Sequence, residues 1–156
     1  MNVTYRILQT VNVTCHATDP LSGMASTNCT SALVNAPVWT STTGPHSVSA
    51  TATDNAGNVT TICTSFTVSP NPVDLGALAT QFVQGSTAYK PPKKGLADVL
   101  VSSATFLLSE VGPHNTKLHN AFAVAPYEAV VAVLGLSGYL THAQQFTLDN
   151  FAQQLI

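Results

Sequence analysis

Two hydrophobic patterns divide the chain. In the first, apolar residues recur at every second position: Val3, Tyr5 and Ile7, then Val11, Val13, Cys15 and Ala17, then Val48, Ala50 and Ala52. Ile62, Phe66 and Val68 continue it. A period of two marks half-buried strands. Turn-forming clusters separate the runs at Asp19–Gly23, Thr43–Pro45 and Asp54–Asn58. Short strands at this spacing predict a β-sandwich over residues 1–70.

Past Ser69, Pro70, Asn71 and Pro72 the period becomes helical. Leu75, Leu78, Ala79, Phe82 and Val83 recur at helical spacing behind Asp74. Leu96, Val99, Leu100 and Leu107 predict a second helix ending by Gly112 and Pro113. Leu118, Phe122, Ala129, Val130 and Val133 predict a third, kinked at Pro126. Thr141 to Gln144 has the form of a capping box, ahead of a fourth helix facing inward through Leu148, Phe151, Ala152 and Leu155. The expected fold class is therefore an all-β sandwich followed by a small all-α helical bundle of about four helices over residues 71–156.

The stretch Ala121–Leu140 is nearly all apolar and about as long as a membrane span. Glu128 lies near its middle, where a carboxylate costs roughly 2.5–3.5 kcal/mol on insertion, and Pro126, Gly135 and Gly138 interrupt it. It reads as a buried bundle helix rather than a span.

Charge narrows the function classes. Only 8% of the 156 residues are charged, against about 25% in an ordinary soluble domain, and the net charge is −2. That excludes the basic footprint of a nucleic-acid binder. With 45% hydrophobic residues, the chain is not intrinsically disordered either. A neutral surface rich in Ser, Thr and Asn suits an extracellular wall or matrix protein. The first ten residues alternate like a strand and carry no apolar signal core. The chain is accordingly read as a C-terminal fragment of a larger secreted or surface protein.

Residues Val48–Val68, with Asp54, Gly57 and Asn58 in the turn, resemble the last hairpin of bacterial Ig-like domains, the HYR-type and related repeats of secreted proteins. Val13–Gly23 is similar to the second strand and turn of those repeats. The resemblance covers residues 3–69. Gly138–Gln144 more distantly resembles a helical module that closes many actinobacterial secreted proteins. The resemblance implies an Ig-like sandwich and an extracellular, non-catalytic module that spaces, presents or anchors other domains. In HYR-type domains a cysteine lies two residues before the last-strand phenylalanine. Here Cys63 lies three before Phe66, so that family's disulfide does not carry over.

Three cysteines leave one over in an oxidising compartment. Alternation sets Cys15 and Cys63 on opposite faces, so bridging them needs a bulge. The expected pair is Cys15 with Cys29, closing a loop over the Asp19–Gly23 turn and leaving Cys63 free or intermolecular. Three reduced thiols in a cytosolic context are the alternative.

Asp19 and Asp54 each end a predicted strand after Ala and Thr, at one end of the sandwich, where they could hold Ca2+. Calcium takes six to eight oxygens, and aspartates also start turns through their own backbone amides. No other cofactor is called for. His114 and His119 are five residues apart, off the spacing of a helical zinc pair, and His142 stands at a helix start. Ser137 lacks the G-x-S-x-G elbow, because Tyr139 occupies the last glycine position. Trp39 is either core or a sugar-stacking platform, with Tyr5 and Tyr89 as further aromatics.

The expectation is an extracellular structural or presentation module, secreted or on the cell surface. Its partners are other domains of a larger protein, and a cell-wall or glycan surface. The alternatives are a carbohydrate- or surface-binding module using Trp39, and a small esterase- or lactonase-type hydrolase using Ser137.

Overall fold

The computed structural model describes residues 3–28, 34–38 and 43–156. The chain divides into two compact units, Met1–Ser69 and Pro70–Ile156.

In the first unit β1 (Val3–Arg6), β2 (Thr10–Val13), β3 (Met24–Thr27) and β4 (Val34–Pro37) are short. β5 (Gly44–Asp54) and β6 (Val59–Ser69) form a long hairpin. Its turn closes through Gly57 N–H to the Asp54 carbonyl at 3.1 Å and Asp54 N–H to the Asn58 carbonyl at 3.0 Å. Gly57 has φ +87°, a left-handed conformation that side chains with a Cβ resist. The main sheet has the order β1-β6-β5-β3, and β2 pairs with β4 in a separate two-stranded ladder. Ile7, Val11, Val38, Ala50, Phe66 and Val68 are buried as its core.

This corrects the expected fold class. Among the described residues the molecule is a mixed α/β chain with one four-stranded mixed sheet and four helices, not an all-β Ig-like sandwich followed by a helical bundle. Two features account for the difference. β1 runs parallel to β6, with Val3 opposite Phe66 and Arg6 opposite Ser69, a pairing that alternation cannot reveal. The run from Val11 also stops being a strand at Val13, and residues 14–19 are irregular although their sequence keeps alternating. Among the described residues only two four-residue strands lie outside the main sheet. Ile62, on the same side of β6 as buried Phe66 and Val68, stays 55% exposed.

In the second unit, α1 (Pro72–Gln84) starts at Asn71, whose side chain accepts the Asp74 N–H at 2.8 Å, with Pro72 in the first turn. It buries Leu75, Leu78, Ala79, Phe82 and Val83. α2 (Lys94–Ser109) buries Ala97, Ala104 and Leu108 and leaves Leu96 and Val99 exposed. α3 (Lys117–Leu136) buries Ala123, Val124, Tyr127, Val131 and Leu134. Its Leu118, Phe122 and Val133, part of the periodic pattern that predicts the helix, are exposed. By length and composition α3 could cross a membrane, with a mean hydropathy of 1.3, and a third of that window is buried.

α3 stops in a Schellman motif. Tyr139 N–H reaches the Leu134 carbonyl at 3.0 Å and Gly138 N–H reaches that of Gly135 at 3.0 Å, with Gly138 at φ +80°. α4 (His142–Gln153) opens on the capping box of Thr141 and Gln144. Buried Asn120 pins the chain end. Its amide donates to the Gly112 and Leu155 carbonyls at 3.3 and 3.0 Å, and its oxygen accepts the Gly112 N–H at 3.3 Å.

Candidate functional site

The irregular segment that follows β2 leaves a cleft of about 420 Å³ against β5 and β6. Asp19, Asp54, His16, Asn58, Thr51 and Thr60 are among its lining residues. The structure thus brings Asp19 and Asp54 to one cleft.

Each carboxylate is held within its own turn. Asp19 accepts the Leu21 N–H at 2.8 Å and the Ser22 N–H at 3.4 Å, while its second oxygen accepts the Ser22 hydroxyl at 2.5 Å. Asp54 accepts the Asn58 N–H at 2.8 Å and the Asn58 side-chain amide at 2.7 Å. Donors of this kind favour the charged form. The Ser22 hydroxyl, then the Leu21 amide, hold Asp19 below its ordinary 3.8. The Asn58 side chain, then its backbone, do the same for Asp54, and the charge on Asp19 opposes this as a smaller effect. The turns are also tied together, because the Asn55 side-chain amide donates to the Ser22 carbonyl at 2.8 Å and the Asn55 N–H to that of Gly23 at 3.0 Å.

The two carboxylates are only a partial donor set for calcium. Two carboxylates already engaged by their turns supply fewer than the six to eight oxygens the ion takes. No group of three or more His, Cys, Asp or Glu side chains gathers for a metal among the described residues. His114, His119 and His142 are exposed on the helical unit.

Ser137 is the C-cap of α3, leading into the left-handed Gly138, and so terminates a helix rather than occupying a strand-to-helix elbow. Trp39 lies outside the described residues. Tyr5 packs edge-on against Phe66, with ring centroids 5.8 Å apart, and His46 stacks on the same ring at 5.1 Å. Tyr89 is anchored: its hydroxyl donates to Asp98 at 2.5 Å and the Lys94 ammonium lies 4.8 Å from its ring centroid. Cys29 also lies outside the described residues, so the expected pairing with Cys15 falls there, while Cys63 is a free, exposed thiol.

His16, Asn58 and Thr60 were not singled out as cleft residues by the sequence. Strand alternation sets His16 opposite Cys15, yet both line the cleft because the strand ends at Val13. Asn58 carries a legible signal, four residues after Asp54 across a Gly57 turn.

No family model matches the chain, and no curated protein or solved structure matches it.

Proposed function

We propose that the chain is an extracellular, non-catalytic structural and presentation module of a larger secreted or surface protein. The observation that carries this reading is the use of Asp19 and Asp54. Both carboxylates take donors from their own turns and are held in the charged form, which suits a structural anchor. A general acid or base at neutral pH wants its pKa near the working pH instead. The low surface charge and the Ser- and Thr-rich hairpin agree with a place outside the cell. A panel of ester and lactone substrates tests the reading. Wild type and Ser137→Ala are both expected at the rate of the buffer blank; saturable turnover lost in Ser137→Ala overturns it.

The cleft supports a second reading, a carbohydrate- or surface-binding module. Its volume falls within the range of small-molecule sites, roughly 300–1,000 Å³, and Thr51, Thr60, Asn58 and His16 offer it hydroxyl, amide and imidazole groups. Titration with cell-wall glycans, followed by Trp39 fluorescence, separates the two. A saturable change favours binding, and an unchanged signal favours the structural module.

A further inference from the structure

One face of α3 is apolar from end to end and uncovered. Leu118, Phe122, Ala125, Ala129, Val133 and Leu136 recur at helical spacing along it. Leu118 is 68% exposed, Phe122 74%, Val133 44% and Leu136 89%, and Ala125 and Ala129 are exposed as well. The opposite face is packed within the helical unit through Val124, Tyr127, Val131 and Leu134. A helix apolar on all sides is ordinarily covered on all sides. The stripe covers eighteen steps of the helix, a length of about 27 Å.

The order of residues along the stripe says what covers it. Read from either end it runs large, large, small, small, large, large. A two-fold axis midway along the stripe, between Ala125 and Ala129, lays it antiparallel on itself, with Leu118 against Leu136 of the second copy, Ala125 against its Ala129, and Phe122 beside its Val133. The alanines at the crossing permit close approach of the two backbones, while the larger side chains fill the space on both sides. The same operation carries Lys117 to the C-terminal end of the other copy's α3, whose last turn has no basic residue. A cation at a helix C-terminus is favourable.

A bilayer is a poorer occupant. A helix lying in the membrane interface is ordinarily flanked by several basic residues, and Lys117 is the only Lys or Arg in α3. A spanning helix would have to leave its packing against α2 and α4.

We propose that the uncovered face of α3 is a self-association surface, on which a second copy of this chain docks antiparallel about a two-fold axis passing between Ala125 and Ala129. Such an arrangement is isologous and closes at two copies. It gives a presentation module a means of pairing whatever it carries.

Sedimentation equilibrium of the whole chain tests this, in a Cys63→Ser background so that the exposed thiol cannot link copies. Over roughly 5 to 500 µM the background protein is expected to pass from monomer to dimer. Ala129→Glu and Leu136→Glu change exposed positions and should leave the circular dichroism unaltered. Each should weaken the dimer at least about tenfold. Orientation is read by mixing Ala125→Cys chains with Ala129→Cys chains under oxidation. The mixed disulfide is expected in excess over either like-with-like product. A monomer at every concentration overturns the proposal, as does an excess of like-with-like disulfides. Co-sedimentation of a monomer with phosphatidylcholine and phosphatidylglycerol vesicles, lost in Leu136→Glu, would assign the face to a lipid surface and overturn it too.

Discussion

Asp149 on α4 gives the helical unit a stability that depends on pH. Burial, then the nearby charge of Glu128, raise its carboxyl from 3.8 to about 6. Glu128 in turn accepts a hydrogen bond from the Gln153 amide. One Asp149 oxygen is buried without a hydrogen-bond partner among the described residues, and so is the hydroxyl of Tyr127 on α3. Burial, then the charges of Asp149 and Glu128, push the Tyr127 hydroxyl well above its ordinary value, so it stays neutral.

The folded Asp149 carboxyl holds its proton more tightly than the unfolded one. Its contribution is therefore fully present below about pH 3.8 and is lost as pH rises through about 6. At about 1.36 kcal/mol per pH unit the shift sets a ceiling near 3 kcal/mol. Asp149 is only half-buried, and solvent screening brings the expected loss to about 1 kcal/mol. Asp149→Asn keeps the position neutral at every pH. At pH 7 it should raise the melting temperature of the helical unit by about 4–8 °C, and at pH 4 the two proteins should nearly coincide. Thermal melts by far-UV circular dichroism between those limits make the measurement. A constant difference between the two proteins across the range would refute the assignment to Asp149.

Three further outcomes are expected. Gly57→Val should destabilise the strand unit by about 1–2 kcal/mol, because the cost of φ > 0 is steric and local. Gly57→Asn should cost less, since the space around Gly57 is open to either side chain and asparagine tolerates the left-handed conformation that valine resists, and equal melts for the two variants would contradict this. Asn120→Ala removes three hydrogen bonds and leaves half-buried backbone groups of Gly112 and Leu155 without their partner, so a loss of about 1–2 kcal/mol is expected in denaturant melts. Mass spectrometry after alkylation of the native chain should count one reactive thiol, Cys63, and three after reduction. Three at the outset would exclude the proposed Cys15–Cys29 bridge and weaken the extracellular assignment.

Local chemistry was the most legible part of the sequence. The capping box at Thr141 and Gln144 forms as its residue types require. The inward face of α1 from Leu75 to Val83 also follows from periodicity, because polar residues mark its other side. α2 and α3 defeat the same reasoning for a physical reason. Both of their faces carry apolar residues, so periodicity identifies a helix and not which side is buried. Leu96, Val99, Leu118, Phe122 and Val133, whose spacing predicts the two helices, are exposed. The uncovered stripe of α3 is where this ambiguity is greatest.

The strand unit shows the complementary limit. Alternation persists in the sequence from Val11 to Thr18, but β2 itself stops at Val13 and residues 14–19 are irregular, so alternation alone does not make a strand. The cleft opens there, and with it the positions of Cys15 and His16. The parallel pairing of β1 with β6 has no local signature at all. It joins residues more than sixty positions apart, and it makes the sheet mixed. Asp19 and Asp54 were recognisable as turn residues, whereas the links between their turns through Asn55 depend on tertiary structure.

The role of those two carboxylates is the centre of the account, and their own amide donors report on it. An NMR pH titration following the Leu21 and Asn58 amide protons reads the ionisation of Asp19 and Asp54 directly. Anchored carboxylates predict midpoints below the ordinary 3.8 for both, since protonation must break the turn hydrogen bonds. Midpoints at or above 3.8 would contradict the account, leaving the two aspartates free of their turns and available to a ligand in the cleft.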